Sequence, residues 1–310
     1  MPAFPIGIAL VGLGKIAREQ HVPALAANAD FRLLAGASPH SRIDAVPCYP
    51  DLDSLLRRVP ETAAVALCTT PQVRCAAARR ALEHGCDVLL EKPPGMSVSE
   101  VEALAALAAR QQAVLYTSWH SRHAAAVGTA RAWLAGKHLH EVRVHWQEDV
   151  RVWHPGQHWI WQHGGLGVFD PGINALSILT LILPHALTVR TALLSYPANC
   201  ATPIAARLQL ADPYGLPVAM ELDFLHPGEP RWNIELQTSA GRLLLTRGGR
   251  SLTIDGRPVT VEVSEEYPQL YAHFASLVRE RRSDVDLSPL RLVAEAFQLE
   301  RRVEVAPFAP

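Results

Sequence analysis

The chain has little excess charge of either sign and no long apolar run. Lysine and arginine total 29 against 30 aspartate and glutamate residues, a formal net charge of −1. Without a basic stretch beside aromatic residues, a nucleic-acid partner is not expected. The apolar stretch at 175–183 is much shorter than a membrane helix and ends at Pro184, so no membrane association is expected either.

Cysteine is scarce, and its spacing forms no redox or zinc motif. The odd set lacks any Cys-x-x-Cys pair and comprises Cys48, Cys68, Cys75, Cys86 and Cys200. We therefore expect reduced thiols, as in cytosolic proteins. The N-terminal segment has no basic leader, so no signal peptide is predicted and a cytoplasmic location is expected.

The chain does have enough apolar sequence for about two domains, since 49% of its 310 residues are hydrophobic. Up to about residue 120, short apolar runs alternate with alanine-rich helical stretches, which is typical of a parallel sheet covered by helices. Strands are predicted at Ile6–Val11, Phe31–Ala37, Ala63–Cys68, Asp87–Leu90 and Ala113–Thr117. Helices are predicted at Val73–His84 and Ser99–Arg110, the second capped by Ser99 and Glu102.

After His123 the pattern changes to period-two alternation, interrupted by Pro, Gly and Asp turns. Such strands indicate an open, mainly antiparallel sheet with one covered face. They are predicted at Glu141–Val150, Thr188–Leu194, Ala205–Leu210, Val218–Phe224, Asn233–Thr238, Arg242–Thr246 and Leu252–Ile254. A helix at Asp170–Leu183 is predicted to cover the sheet, and helices at Gln269–Arg281 and Ser288–Arg302 close the chain.

These patterns predict an α/β protein with two domains. Residues 1–122 form a dinucleotide-binding Rossmann domain, and residues 123–310 form a substrate-binding α/β domain with an open, mainly antiparallel sheet. The patterns leave open whether the closing helix at 288–302 packs back on the first domain. Because the exposed face of such a sheet often becomes an interface, a homodimer is predicted.

The first predicted strand runs directly into a glycine turn and a helix, with the spacing G-x-G-x-x-A. Gly12 permits the tight turn, Gly14 lets the backbone approach a pyrophosphate, and Ala17 allows close packing of helix on strand. The helix N-terminus adds N–H donors and a positive dipole end. The motif predicts a dinucleotide site; the alternative is that the glycines only form a turn.

The end of the second predicted strand bears on which dinucleotide binds. NAD sites usually place an acidic residue there, whereas this chain has Ser38-Pro39-His40-Ser41-Arg42. No carboxylate repels a 2′-phosphate, and Ser38, His40 or Arg42 can contact it. We therefore predict NADP as the favoured cofactor and NAD as the alternative, in which Arg42 points into solvent.

A second motif, Glu91-Lys92-Pro93-Pro94-Gly95, follows the strand at 87–90, at the sheet edge where α/β proteins bind ligands. Taken alone, it could be a surface ion pair before a proline turn. Together with the glycine motif, Thr69-Thr70-Pro71 and the antiparallel second half, it resembles the Glu-Lys-Pro motif of the Gfo/Idh/MocA oxidoreductase family, over nearly the whole chain. This resemblance implies that the cofactor is bound by Gly12, Gly14, Lys15, Ile16, Ala17, Thr69, Thr70, Pro71, Glu91 and Lys92.

The segment 164–174 resembles the glycine-rich lead into the catalytic helix of that family. Many members carry an Asp and, four residues on, a His, whereas this chain has Asp170 and Asn174. Asn174 cannot exchange a proton near neutral pH. Residues four apart share a helix face, so both can point into one pocket, and the helix dipole favours ionised Asp170. Alternatively, Asp170 is simply an N-cap.

With Ser118-Trp119-His120, this pair resembles the subgroup that oxidises aldoses such as L-arabinose and D-galactose at C1. The resemblance implies NAD(P)-dependent hydride transfer that yields a lactone, with Asp170 as base, Asn174 orienting the hydroxyl, and Lys92 stabilising negative charge or relaying the proton. Four of the seven tryptophans lie between 146 and 161, which favours an aromatic pocket wall. The expected sugar contacts are His120, Glu148, Trp153, His154, Asp170, Asn174 and Trp232.

No metal is expected. His154, His158 and His163 suggest a zinc site, but Pro155-Gly156 lies between His154 and His158 and disrupts regular helical geometry, and no His-Glu-x-x-His motif is present. Two alternative functions stay open. One is a non-catalytic sugar- or dinucleotide-sensing regulator, like the fungal galactose-sensing co-repressors that resemble this family. The other is a dehydrogenase of another polyol, such as a cyclitol or dihydrodiol.

Overall fold

A computed structural model describes residues 4–309, which form two compact units. The first unit runs through His120 and includes Glu266–Leu287, and the second takes Ser121–Glu265 and the residues from Ser288 onward. The boundary predicted near residue 122 therefore misses the return of the chain to the first unit at Glu266. The closing helix after Ser288 belongs to the second unit.

The first unit contains a six-stranded parallel sheet in the order β3-β2-β1-β4-β5-β6. Its strands are β1 Ile6–Val11, β2 Phe31–Ala37, β3 Cys48–Tyr49, β4 Ala64–Leu67, β5 Asp87–Leu90 and β6 Leu115–Thr117. The predicted Rossmann sheet is confirmed. Only β3 was missed, because two residues are too few to show a pattern. The strand order reverses between β1 and β4, and ligands bind beside the carboxyl ends of strands at such a point.

Nine α-helices are found within residues 4–309. They are α1 Val22–Ala26, α2 Leu52–Arg58, α3 Pro71–Glu83, α4 Val98–Arg110, α5 Val127–Leu134, α6 Val150–Trp153, α7 Phe169–Ile182, α8 Glu266–Glu280 and α9 Ser288–Gln298. A π-helical turn, Ala17–His21, leads into α1, and short 3-10 turns lie at His120–His123, His158–Trp161 and Arg247–Gly249.

The N-cap of α4 is Ser97, whose hydroxyl accepts the N–H of Glu100 at 3.2 Å, while Glu100 Oε2 accepts the N–H of Met96 at 3.0 Å. The predicted cap at Ser99 and Glu102 was therefore wrong by two residues. The Ser-x-x-Glu spacing occurs twice here, at Ser97/Glu100 and at Ser99/Glu102. The first pair forms the cap because Ser97 has the extended backbone of an N-cap, whereas Ser99 is already inside the helix.

The segment Glu266–Leu287 belongs to the first unit because its helix, α8, has a wide apolar face. Tyr267, Leu270, Tyr271 and Phe274 are all at most 4% exposed, and Phe274 stacks on Phe31 with ring centroids 5.6 Å apart. These side chains complete one buried cluster with β1 and β2. They also bring two tyrosine hydroxyls beneath the carboxyl ends of the parallel strands.

The second unit contains a nine-stranded sheet in the order β14-β13-β12-β11-β7-β10-β9-β8-β15. Its strands are β7 Leu139–Gln147, β8 Thr188–Pro197, β9 Ala205–Ala211, β10 Pro217–Asp223, β11 Arg231–Thr238, β12 Gly241–Thr246, β13 Ser251–Ile254, β14 Arg257–Val259 and β15 Glu300–Val305. Only β7 with β10 and β8 with β15 pair in parallel, so the predicted mainly antiparallel sheet is confirmed.

The prediction of helix through Arg302 was wrong. Helix α9 stops at Gln298, and Glu300–Val305 instead forms β15 alongside β8. The reason is tertiary, because the edge of β8 offers backbone hydrogen-bonding groups that a strand can pair with.

Helix α7 packs on the covered face of this sheet. A Cβ added at Gly172 would lie 2.6 Å from a methyl carbon of Leu222 on β10, so the absence of a side chain allows close approach. The first turn of the helix is thereby held against the sheet, next to the end of β7.

All five cysteines lie within the described residues, and each is a free thiol. Across residues 4–309, none of the helices combines the length and the apolar character needed to span a bilayer. In the same range, no cluster of three or more His, Cys, Asp or Glu side chains is arranged to hold a metal ion.

Candidate active site

The turn after β1 requires glycine at its first motif position. Gly12 has φ of +86°, and a Cβ there would lie 2.7 Å from the backbone nitrogen of Thr69. At Gly14, by contrast, a Cβ would meet no described atom within 4 Å. The turn is therefore packed on its Thr69 side and open in front of Gly14, where the helical residues Lys15, Ile16 and Ala17 begin.

Two half-buried side chains after β4 carry buried polar atoms. Thr69 Oγ1 and both amide atoms of Gln72 have no hydrogen-bond partner in the part of the chain that the structure describes. Buried polar groups normally have partners, and the hydroxyl, phosphate and amide groups of a dinucleotide would supply them. The residues present therefore fit a nicotinamide dinucleotide. Thr70 and Pro71 lie between these two side chains and start α3.

The loop after β2 carries the groups expected to choose between NAD and NADP. Ser38 Oγ accepts the N–H of Ser41 at 3.3 Å, and the Arg42 guanidinium donates to the carbonyl of Cys48 at 3.1 Å. His40 is exposed. This loop offers hydroxyl and cationic groups on a short turn and has no carboxylate between Ser38 and Arg42.

Glu91, at the end of β5, is the centre of a buried hydrogen-bond network. Its Oε1 accepts from the hydroxyl of Tyr267 at 2.8 Å and lies 3.1 Å from Nε2 of His21, while Oε2 accepts the N–H of Lys92 at 2.8 Å. The other ring nitrogen of His21 lies 2.7 Å from the hydroxyl of Tyr271. Glu91 is 2% exposed and His21 is fully buried.

This network holds charge inside the first unit. Burial opposes ionisation of Glu91, but the hydrogen bond and charge of His21, with help from His120 and Tyr267, lower its pKa to about 2. Burial likewise opposes a charged His21, yet Cys68, Tyr271 and Glu91 outweigh it and raise the pKa of His21. Burial also raises the pKa of both tyrosines, which stay protonated. The network is therefore a buried imidazole–carboxylate pair enclosed by two phenols, and both pKa shifts favour the charged form of their group.

Lys92 and His120, the other predicted site residues of the first unit, lie at the edge of this network. Lys92 is half-buried, and its backbone N–H is fixed by Glu91. His120 pairs with Glu266 at 2.5 Å and stacks on Tyr267 with ring centroids 5.4 Å apart.

The second unit brings four of its predicted site residues into one chain of contacts. Trp232 donates its indole N–H to Glu148 Oε2 at 2.7 Å, and Glu148 Oε1 lies 2.8 Å from Nε2 of His154. His154 Nδ1 lies 3.8 Å from Asp170 Oδ2. Because Nε2 is engaged with a carboxylate, it carries a hydrogen, and Nδ1 faces Asp170; among residues 4–309, that nitrogen has no hydrogen-bond partner.

Asp170 is the second residue of α7 and only 3% exposed. The N-cap is Val168, which makes no side-chain cap bond, so Asp170 is a first-turn residue and not the cap. Asn174 lies one turn later and is half-buried, on the same helix face as Asp170.

Two further indoles, those of Trp146 and Trp153, lie beside Trp232 in this chain of contacts. Trp146 on β7 and Trp232 on β11 are cross-strand partners with ring centroids 6.3 Å apart, and Trp153 meets Trp232 edge to face at 4.7 Å. Trp153 remains 41% exposed. Trp146 and Trp153 thus pack against Trp232, whereas Trp161 packs against Phe224 and Phe308. That this cluster forms a pocket wall stays a prediction.

Sequence patterns missed His21, Gln72, Tyr267 and Tyr271. Gln72 directly follows the Thr-Thr-Pro segment, but only its burial distinguishes it from an ordinary helix residue. The other three have no motif, because His21 and Tyr267 reach Glu91, and Tyr271 reaches His21, only after the chain folds.

Known proteins resemble this chain both over its N-terminal part and over nearly its full length. Residues 6–118 match a family model described as an oxidoreductase family with an NAD-binding Rossmann fold. A galactose 1-dehydrogenase from Pseudomonas fluorescens is 46% identical over 304 residues, which is 98% of this chain and 99% of that protein.

Among solved structures, D-galactose-1-dehydrogenase from Rhizobium etli is 49% identical, with a TM-score of 0.96 over 100% of this chain and 99% of that one. A 3-ketoreductase from Actinomadura kijaniata, in complex with NADP and TDP-benzene, shares only the fold at 19% identity, with a TM-score of 0.84 over 97% and 99% of the two chains. The full-length relatives and the family model confirm what the motifs predicted: the chain belongs to the Gfo/Idh/MocA oxidoreductase family.

Proposed function

We propose that the protein is an NAD(P)-dependent aldose 1-dehydrogenase that oxidises D-galactose, L-arabinose or a similar aldose at C1 to the lactone. The observation that carries this proposal is the contact chain Trp232–Glu148–His154–Asp170. A buried acid beside an oriented imidazole and indole faces suits a sugar, which combines apolar C–H faces with hydroxyl groups. Both full-length relatives are galactose 1-dehydrogenases.

The reaction removes a hydride from C1 and a proton from O1. When bound, the nicotinamide supplies the hydride acceptor, held by the residues around Gly12, Gly14, Thr69 and Gln72. Asp170 takes the proton from O1, and Asn174 orients that oxygen through its amide. Lys92 stabilises the negative charge that develops on O1.

The remaining proposed sugar contacts differ in what they can still offer. Both oxygens of Glu148 and the indole N–H of Trp232 are already engaged. Glu148 therefore acts by orienting His154, and Trp232 contacts the sugar through the face of its ring. Trp153 offers an exposed indole, and His120 remains a proposed contact from the first unit.

The test is an absorbance assay for reduced cofactor with a panel of sugars and both nicotinamide cofactors. We expect turnover with an aldose, and Asp170→Ala should lower it by roughly two orders of magnitude or more with little change in cofactor affinity. A variant with near-normal turnover would remove Asp170 from the role of base. Sugar or dinucleotide binding without turnover of any substrate would identify a sensing regulator, and turnover of cyclitols alone would identify another polyol dehydrogenase.

We propose NADP as the preferred cofactor, because Ser38, His40 and Arg42 stand where an acidic residue would repel a 2′-phosphate. Ser38→Asp should weaken NADP by about tenfold or more relative to NAD, measured as the ratio of the two dissociation constants. A wild-type protein with a strong preference for NAD would refute this assignment.

We further propose a homodimer formed through the open face of the second unit's sheet. Sedimentation velocity of the full chain tests it, and a monomer at micromolar concentration would contradict it.

A further inference from the structure

Arg74 is a buried cation that the roles above do not use. It lies in the first turn of α3 and is only 3% exposed. An arginine side chain stays charged at any relevant pH, and burying a charge is costly unless strong hydrogen bonds compensate. The hydrogen bonds that compensate for burying the Arg74 charge therefore indicate the role of this residue.

The Arg74 guanidinium donates to backbone carbonyls on two neighbouring loops. One terminal nitrogen, Nη1, donates to the carbonyls of Glu91, at 2.5 Å, and of Pro93. The other, Nη2, donates to the carbonyl of Thr69. The planar fork thus joins the end of β4 to the Glu-Lys-Pro turn after β5.

Lys92 lies between the two carbonyls that Arg74 holds. The carbonyl before it, of Glu91, and the carbonyl after it, of Pro93, both accept from Nη1. Its own N–H is held by the Glu91 carboxylate. The backbone on both sides of Lys92 is therefore fixed by two buried charged groups, Arg74 and Glu91.

We propose that Arg74 is a positioning residue that sets the place of the Lys92 ammonium group. The inference rests on the proposed role of Lys92 in charge stabilisation. Arg74 touches neither substrate nor cofactor in this proposal, and acts only through the Glu-Lys-Pro turn. A displacement of about 1 Å in a catalytic group can cost about 100-fold in rate, so losing the fork should reduce kcat more than binding.

The experiment is a double-mutant cycle on the full-length protein with Arg74→Met and Lys92→Met. Arg74→Met should lower kcat by about 100-fold while the dissociation constant for the cofactor changes by less than about threefold. In the Lys92→Met background, adding Arg74→Met should change kcat by less than about threefold, because residues that act as a unit are not additive. Arg79→Met, an exposed arginine on the same helix, is the matched control and should keep wild-type kcat.

A second variant separates positioning from folding. Arg74→Lys keeps the buried charge but loses the fork, so it should fold and recover part of the kcat lost in Arg74→Met. Near-normal kcat in folded Arg74→Met, or a full additional loss in the Lys92→Met background, would overturn the inference while leaving the role of Lys92 intact. Near-normal kcat in Lys92→Met alone would instead overturn the role of Lys92 and, with it, this inference.

Discussion

Glu91 with His21 in the first unit and Glu148 with His154 in the second are both buried carboxylate–imidazole pairs, with N···O distances of 3.1 and 2.8 Å. In the first pair, both ring nitrogens have partners, and the imidazole is fully buried. In the second pair, the imidazole side chain is 15% exposed and its Nδ1 faces Asp170. A pair with every atom satisfied supports structure, whereas a pair with one unused nitrogen is available for chemistry.

Replacing each imidazole in turn tests whether the two pairs differ in this way. His21→Leu should destabilise the protein by about 3–5 kcal/mol, because it leaves the Glu91 charge buried without its counter-ion. His154→Leu should cost about 1 kcal/mol, because Glu148 keeps the indole of Trp232 and the ring it loses is partly exposed. Urea unfolding curves of the two variants measure the difference, and equal losses would contradict the division into structural and chemical pairs.

The Glu91–His21 pair should also make the stability of the protein depend on pH. The pKa of Glu91 lies at about 2, below its ordinary value of 4.5, so its contribution is present above about pH 4.5 and is lost as the pH falls toward 2. The pKa of His21 is raised, so its contribution is present below the ordinary value near 6.5 and is lost as the pH rises through the raised value.

Unfolding free energies measured from pH 2 to pH 9 test these signs. Glu91→Gln should flatten the acid limb, because the variant lacks the carboxyl group whose pKa is lowered. An acid limb that is unchanged in Glu91→Gln would show that other carboxylates cause it.

A smaller effect is expected on catalysis by the second pair. His154→Leu should lower kcat/KM by about tenfold to 100-fold, because the imidazole facing Asp170 is lost. Cofactor affinity, measured by fluorescence titration, should stay unchanged. If His21→Leu lowers kcat/KM as much in protein shown to be folded, then the first pair also serves the chemistry.

The smallest effect is expected at the exposed indole. Trp153→Ala should raise the KM for the sugar several-fold, worth about 1 kcal/mol, since Trp153 offers an exposed apolar face. Its kcat and the stability of the protein should change little. Val152→Ala, which changes an exposed neighbour in α6, is the control and should leave KM unchanged.

Local patterns predicted most of the secondary structure. The first-unit sheet was predicted except for β3, and the alternation after residue 140 located β7 to β13. The errors were at element ends and pairings, as in the cap of α4 and the change from helix to β15. In both cases the sequence permits two local structures, and a contact decides between them.

The residues of the candidate site likewise fall into those that a sequence motif marks and those that it does not. Gly12, Gly14, Lys92, Asp170 and Asn174 have motif spacings that a sequence displays. Arg74 and His21 have none, because a buried cation on a helix has the same sequence appearance as an exposed one. Only burial and the groups around it distinguish Arg74 from Arg79.

Local sequence specifies the parallel-sheet and alternating-strand patterns of the two halves, the glycine turn, and the helix face shared by Asp170 and Asn174, because each depends on residues within a few positions of one another. The tertiary structure decided which groups surround Glu91, how Arg74 holds the turn around Lys92, and that His154 faces Asp170. Tyr267 and Glu91 are 176 residues apart, and no local periodicity encodes a hydrogen bond over that separation. Such partners are selected by packing, since a buried charge requires whichever polar groups the folded chain brings within reach.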